Sequence, residues 1–166
     1  MNSYPTHARF AVNLVVSFVG ALLLGGQGMA AQPGTEMHIE ETKAPYLEYG
    51  VSAAVRAGDF LYIGGIVAMD STGASMTPYD GKAQAEIVYS RIQQLLQAHG
   101  ATARNVVSET IYLTDWQRYF DGAGVRKRFY DEAKAAYPSN AAVEVVSLAT
   151  AGLVLEVEIV AYLGEN

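Results

Sequence analysis

The chain has 166 residues, and hydrophobic residues make up 51% of it, which suffices for one compact domain with its own core. Its formal net charge of −6 argues against a nucleic-acid partner, because binding to a phosphate backbone requires clustered cations. The chain contains no cysteine, which excludes disulfides and a lipid-anchored thiol.

The first thirty residues have the three parts of a secretory signal peptide. His7 and Arg9 precede an apolar run at 10–26, and a stretch of small residues follows. We therefore predict a signal peptide over residues 1–30, cleaved after Ala30, and a periplasmic or secreted mature protein with no membrane association. The alternative is an uncleaved anchor helix, although the apolar run is shorter than a usual membrane span. Cleavage leaves a formal charge of about −7, because it removes one basic residue and no acidic one.

Residues 31–48 are predicted to be an extended linker or lead-in, because they are polar, acidic and interrupted by Pro33 and Pro45. The folded domain is expected to span residues 49–166. It begins with two runs rich in β-branched and aromatic residues, and turn residues around Gly58 join them. This pattern predicts a hairpin with strands at 52–56 and 60–64.

Two helices are predicted next, with a strand between them. Asp80 can cap the first helix, which ends at Gly100. Alternating residues predict a strand over Val106–Leu113, after which Thr114 or Asp115 can cap the second helix. The apolar stripe of the second helix is formed by Val125, Phe129, Ala133 and Ala136. The basic run Arg126, Lys127 and Arg128 is interpreted as a solvated helix face, because consecutive helical residues point in different directions.

Two further runs in residues 137–162 alternate at period two and are interpreted as adjacent antiparallel strands. The order ββαβαββ predicts an α+β fold, a single sheet with both helices on one face. On the last strand the residues expected to face the helices are Leu155, Val157, Ile159 and Ala161. The opposite side mixes carboxylates with Val and Tyr, which favours a subunit interface in a homo-oligomer. A monomer with one solvated sheet face is the alternative.

From about residue 50 to 162 the chain resembles the Rid/YjgF (endoribonuclease L-PSP-like) family of imine deaminases. The resemblance rests on four segments in this order: SAAVRAGDFLYIGG, LLQAHGAT, VVSETIYLTD and YPSNAAVEVVSL. It implies a chorismate-mutase-like fold and a homotrimer with a cleft at each subunit boundary. It also implies hydrolysis of small enamine or imine acids to keto acids and ammonia, with no metal and no organic cofactor.

Two family site positions are matched in this chain. The glycine after the second strand is Gly65, expected to bind substrate, and the carboxylate on the last strand is Glu156, expected to be catalytic. A carboxyl group in a partly dry cleft can have a raised pKa and can move protons through a water molecule. Without the resemblance, Glu156 reads equally well as an exposed strand glutamate. Glu158, on the same face, is expected to be solvated.

Three family positions are not matched. The arginine that holds a substrate carboxylate falls on Asn140, a tyrosine falls on Val51, and a cysteine falls on Ala142, while the hydroxyl of Tyr49 is a candidate replacement for the tyrosine. Losing the cation is expected to weaken carboxylate binding by about one to two powers of ten. Asn140 is therefore expected to hold a neutral or amide-bearing molecule in the cleft and to take part in catalysis. The resemblance implies that Val51, Ala142 and Tyr49 belong to the same substrate-binding site. Alternatively, it only starts a strand after Pro138.

The sequence thus predicts an exported protein that deaminates or tautomerises a small enamine or imine in inter-subunit clefts, with altered specificity. The alternative is a non-catalytic trimer that binds a small metabolite. The expected partners are a small molecule and further copies of the chain, with no nucleic acid. Ribonuclease activity is disfavoured by the net acidity and by the lack of a histidine pair, and His38 and His99 show no metal spacing.

Overall fold

The computed structural model describes residues 35–38 and 49–164. The predicted signal peptide at 1–30 and most of the predicted linker lie outside the described residues. Within that linker, Thr35–His38 forms a strand, β1, which is absent from the sequence-based prediction. In the described part of the chain, every helix is too short or too polar to cross a membrane.

The described strands form one mixed sheet. After β1, their bounds are β2 Ala54–Ala57, β3 Phe60–Val67, β4 Val106–Leu113, β5 Ser139–Glu144 and β6 Leu155–Tyr162. Their order across the sheet is β1-β2-β3-β6-β4-β5. Neighbouring strands are antiparallel except for β4 and β5, which are parallel. Helix α2 connects this parallel pair, as such a crossover requires.

The two helices are α1 Gly81–Ala98 and α2 Trp116–Glu132, and both pack on one face of the sheet. The predicted N-cap Asp80 is confirmed, and of the two candidates for α2 the structure uses Asp115. The side chain of Asp80 accepts a hydrogen bond from the Ala83 N–H, and that of Asp115 accepts one from the Arg118 N–H. These contacts satisfy N–H groups that the first helical turn leaves without partners.

The core lies between the helices and the sheet, and β6 supplies much of it. Its four residues predicted to face the helices are each at most 2% exposed, which confirms the predicted face. The predicted stripe of α2 fails only at its end, where Ala136 is exposed and Ala135 packs against the core instead. The helix ends at Glu132, and Lys134 has a left-handed φ of 51°, so helical spacing no longer applies there.

The predicted adjacency of the last two strands is wrong. β5 forms an edge of the sheet beside β4, and β6 lies between β3 and β4. The Val145 N–H donates to the Leu113 carbonyl, and the Thr114 N–H donates to the Val154 carbonyl, so the connection passes around the end of β4. This placement follows burial, because one whole face of β6 is apolar and buried, whereas most β5 residues are exposed.

Candidate functional site

Glu156 and Gly65 lie against each other on neighbouring strands. The pairing of β3 with β6 shifts between Ile63 and Ile66, so Gly64 and Gly65 form a bulge beside Glu158. A Cβ atom at residue 65 would overlap the carboxyl group of Glu156. Glycine at residue 65 is therefore what allows the Glu156 carboxyl group to occupy this position.

The surroundings of Glu156 favour proton transfer. It is half-buried on the sheet face away from the helices, and burial raises the pKa of its carboxyl group, with a further increase from the Glu158 charge. Tyr112 lies opposite Glu156 on β4 and donates its hydroxyl to Oε2 of Glu158 at 3.3 Å. Glu158 is therefore not simply solvated, as expected from the sequence, but forms part of this polar group.

The segment before β2 passes along the glycine bulge. The Gly64 N–H donates to the Ala53 carbonyl at 3.0 Å, and the Ser52 carbonyl also lies beside Gly64. Val51 and Tyr49 lie just before this contact, and both side chains are exposed. These two predicted binding positions thus lie within three residues of the segment that contacts Gly64, the neighbour of Gly65 in sequence.

Asn140 lies at the opposite edge of the sheet, on β5. It is in register with Glu109 of β4, and its Nδ2 donates to Oε2 of Glu109 at 3.1 Å. The side chain thus projects toward the helix-facing side of the sheet. Ala142 follows two residues later on the same side and packs against the core.

Glu109 is a buried carboxylate that the sequence analysis did not identify as part of a site. It is 1% exposed and accepts hydrogen bonds from Tyr89 at 2.8 Å, Tyr130 at 3.2 Å and the Nε of Arg126 at 2.5 Å, besides the bond from Asn140. Burial, and then the charge of Glu109, raise the pKa of both tyrosine hydroxyls, which therefore remain protonated donors. Four donors compensate the desolvation of this carboxylate.

The interpretation of the basic run at residues 126–128 as a solvated helix face is wrong for Arg126. Its side chain is only 19% exposed and forms the ion pair with Glu109, whereas Lys127 and Arg128 make exposed ion pairs. A signal for this pair was present in the sequence. Glu109 alternates with Ile111 and Leu113 on the buried side of β4, and a carboxylate on a buried strand face requires a cation.

The structure does not bring Asn140 and Glu156 together within one chain. β4 separates their strands, which lie about 10 Å apart, and the two residues are also offset along β4, where Asn140 is opposite Glu109 and Glu156 is opposite Tyr112. They also lie on opposite faces, since Asn140 contacts the buried Glu109 and Glu156 alternates with the buried residues of β6. Gly65 and Glu156 thus form one group, and Asn140 and Ala142 form another. Residues 35–38 and 49–164 contain no cluster of acidic and histidine side chains suited to hold a metal ion.

Comparison with known proteins gives the same family from sequence and from structure. The endoribonuclease L-PSP family matches residues 41–163. A RutC family protein of Pyrococcus horikoshii is 32% identical over 111 residues, which cover 67% of this chain and 85% of that protein. A bovine (Bos taurus) protein named 2-iminobutanoate/2-iminopropanoate deaminase is 29% identical over 126 residues, covering 76% of this chain and 89% of that protein.

Solved structures agree with these sequence matches. RidA from an Antarctic Psychrobacter species is 32% identical, with a TM-score of 0.64, and the match covers 76% of this chain and 99% of that chain. A Mycobacterium tuberculosis member of the YjgF/YER057c/UK114 family is 28% identical, with a TM-score of 0.62, covering 77% and 98%. The chain therefore belongs to the endoribonuclease L-PSP family, which is also known as the Rid/YjgF family.

Proposed function

We propose that this protein is an exported deaminase that hydrolyses a small imine or enamine in clefts between the subunits of a homotrimer. The observation that carries the proposal is the half-buried carboxyl group of Glu156, held against Gly65, whose pKa burial raises. The matched relative named 2-iminobutanoate/2-iminopropanoate deaminase supports this reaction class.

The chemistry requires one proton carrier. Glu156 takes a proton from a water molecule as the oxygen adds to the imine carbon, and it returns the proton to the nitrogen. The carbinolamine then releases ammonia and leaves a carbonyl product, so one imine and one water give one ketone and one ammonia. An enamine first takes a proton at carbon to become the imine. The backbone of Gly65 and the side chain of Asn140 hold the substrate.

Two chains are needed for a cleft that contains both Asn140 and Glu156, because one chain places them on opposite faces of its sheet. In this proposal the β5 edge of one subunit meets the open sheet face of the next. That face carries exposed apolar side chains, including Phe60 and Tyr62, which are 40% and 48% exposed. Exposed aromatic residues of this kind are typical of a surface that another protein covers.

The substrate that we expect follows from the neutral side chain of Asn140, which stands where the family has a charged arginine. Asparagine has no charge, and its NH₂ group already bonds to Glu109, so a substrate carboxylate lacks the fork of donors that an arginine provides. We therefore expect poor turnover of the imines of simple amino acids. A neutral or amide-bearing imine fits this end of the cleft better.

A second candidate is a non-catalytic trimer that binds a small metabolite in the same clefts. The observation in its favour is that none of Asn140, Val51 and Ala142 provides a cation. Val51 and Ala142 also have no polar side-chain group. In that case Glu156 would remain as a binding group. Turnover distinguishes the two candidates.

The test is ammonia release from enamines generated from serine or threonine. We expect slow release by the unaltered protein, and an increase of about tenfold in Asn140→Arg, because the cation is restored. Rapid release by the unaltered protein would contradict the interpretation of Asn140. Glu156→Gln should abolish any activity and leave the oligomer intact, with Glu132→Gln, an exposed glutamate on α2, as the matched control. An unchanged rate in Glu156→Gln would remove Glu156 from the mechanism.

A further inference from the structure

The side-chain amide of Asn140 has a fixed direction in this protein. Its Nδ2 lies 3.1 Å from Oε2 of Glu109 and 3.5 Å from the Glu109 backbone carbonyl. Both atoms are acceptors, because a carbonyl and an ionised carboxylate have no hydrogen to donate. Turning the amide over would place its oxygen against two other oxygens. The chemistry of Glu109 therefore sets which end of Asn140 faces inward.

Glu109 is itself held in place. Arg126 donates to the same oxygen, Oε2, that accepts from Asn140, and Tyr89 and Tyr130 donate to Oε1. The guanidinium of Arg126 and the carboxylate of Glu109 balance each other in an ion pair, so this pair presents no uncompensated cation beside Asn140. The guanidinium of Arg126 also lies over the ring of Tyr130, 5.2 Å from its centroid.

The remaining end of the Asn140 amide is its carbonyl oxygen. Asn140 is exposed, and within residues 49–164 no side chain or backbone N–H donates to this oxygen. The surface at this position therefore presents an acceptor, with a neutral ion pair behind it. A ligand carboxylate placed there would meet another oxygen, whereas a ligand N–H would find a partner.

We infer that Glu109 is a positioning residue that turns the carbonyl oxygen of Asn140 toward the ligand, and that the ligand carries an N–H donor there, as a primary carboxamide does, in place of a carboxylate. The inference rests on the proposed function for the location of the cleft. It adds the chemical class of the ligand and a residue, Glu109, that determines this class without touching the ligand.

Butyramide and butyrate are the probes, because they share a carbon skeleton and differ in one group, NH₂ against O⁻. Their dissociation constants are measured on the purified full protein by NMR titration that follows the side-chain amide signal of Asn140. We expect butyramide to bind about tenfold more tightly than butyrate. Asn140→Arg should reverse the order. Equal or tighter butyrate binding by the unaltered protein, or no shift with either probe, would overturn the inference.

The role of Glu109 is tested by Glu109→Gln. Glutamine can donate as well as accept, so the amide of Asn140 is no longer fixed and the preference for butyramide should fall toward parity. Glu132→Gln changes the net charge by the same amount at an exposed position on α2, away from the β5 edge, and should keep the tenfold preference. Glu109→Gln leaves Arg126 without its partner, which can prevent folding. The double variant Glu109→Gln/Arg126→Gln removes both members of the ion pair, and it tests the loss of butyramide preference if the single variant unfolds. A folded variant of either kind that keeps the full preference would overturn the positioning role.

Two further outcomes separate this inference from the proposed function. Butyramide preference without any ammonia release from imines would contradict the deaminase proposal and leave the inference standing. The opposite outcome is ammonia release by a protein that binds butyrate more tightly than butyramide and loses this preference in Arg126→Gln. That result would identify Arg126 as the group that binds the carboxylate. It would overturn the inference about Asn140 and leave the deaminase proposal standing.

Discussion

The ion pair between Arg126 and Glu109 gives the sharpest prediction about stability. Arg126→Met removes the only cation that bonds to a carboxylate with 1% exposure, and three neutral donors remain around it in the described structure. Removing one partner of a buried pair usually costs 3 to 5 kcal/mol, and the partial exposure of Arg126 favours the low end, about 3 kcal/mol. Methionine is chosen because it keeps much of the packing against neighbouring side chains.

The matched control is Arg128→Met, two residues along the same helix. Arg128 bonds to both carboxylate oxygens of Glu86 at 2.7 Å, but both side chains of this pair are about half exposed. Solvent screens the charges of such an exposed pair, so Arg128→Met should cost much less stability than Arg126→Met. Urea unfolding followed by circular dichroism measures both free energies. Equal losses in the two variants would refute the argument that burial makes the Glu109 pair matter.

Three further predictions concern the Glu156 group and the chain terminus. Gly65→Ala should reduce any turnover by about a hundredfold, because the new Cβ displaces the Glu156 carboxyl group. In the control Gly64→Ala the new Cβ meets no atom closer than 3.5 Å, so turnover should be unchanged. Equal effects of the two variants in a turnover assay would contradict the importance of the contact between Gly65 and Glu156. Burial raises the pKa of Glu156 in the folded state, so ionisation of its carboxyl group destabilises the fold as the pH rises through that pKa. Glu156→Gln should therefore raise the urea midpoint at neutral pH. This gain should disappear below pH 4.5, the ordinary pKa of a glutamate side chain. A midpoint gain that does not depend on pH would contradict this cause. The intact mass of the protein from its native host should correspond to a chain that begins at residue 31, and a mass that begins at Met1 would contradict export with cleavage.

The sequence predicted the local elements well because their signals are local. The two caps and the bounds of β4 follow from residues within a few positions of each boundary. The partner of a strand is not a local property. A period of two shows which residues share a face, but it does not show whether β5 pairs with β6 or with β4. The helix before β5 was the available sign of a parallel crossover.

The candidate site was predicted unevenly for a similar reason. The resemblance located Gly65 and Glu156, and the structure shows why glycine is needed beside that carboxyl group. The cluster around Glu109 combines residues from two helices and two strands, so no spacing along the chain reveals it. Asn140 was identified as a departure from the family pattern. What its amide does depends on Glu109, which only the three-dimensional structure places beside it.

In the proposed trimer, each site combines Asn140 of one subunit with Glu156 of another. Mixing two weakened proteins, Glu156→Gln and Asn140→Leu, tests it directly. If subunits exchange at random, about one boundary in four combines the intact residue of each parent, so ammonia release by the mixture should recover to about a quarter of the unaltered rate. A mixture that releases ammonia no faster than the mean of its two parents would contradict the account.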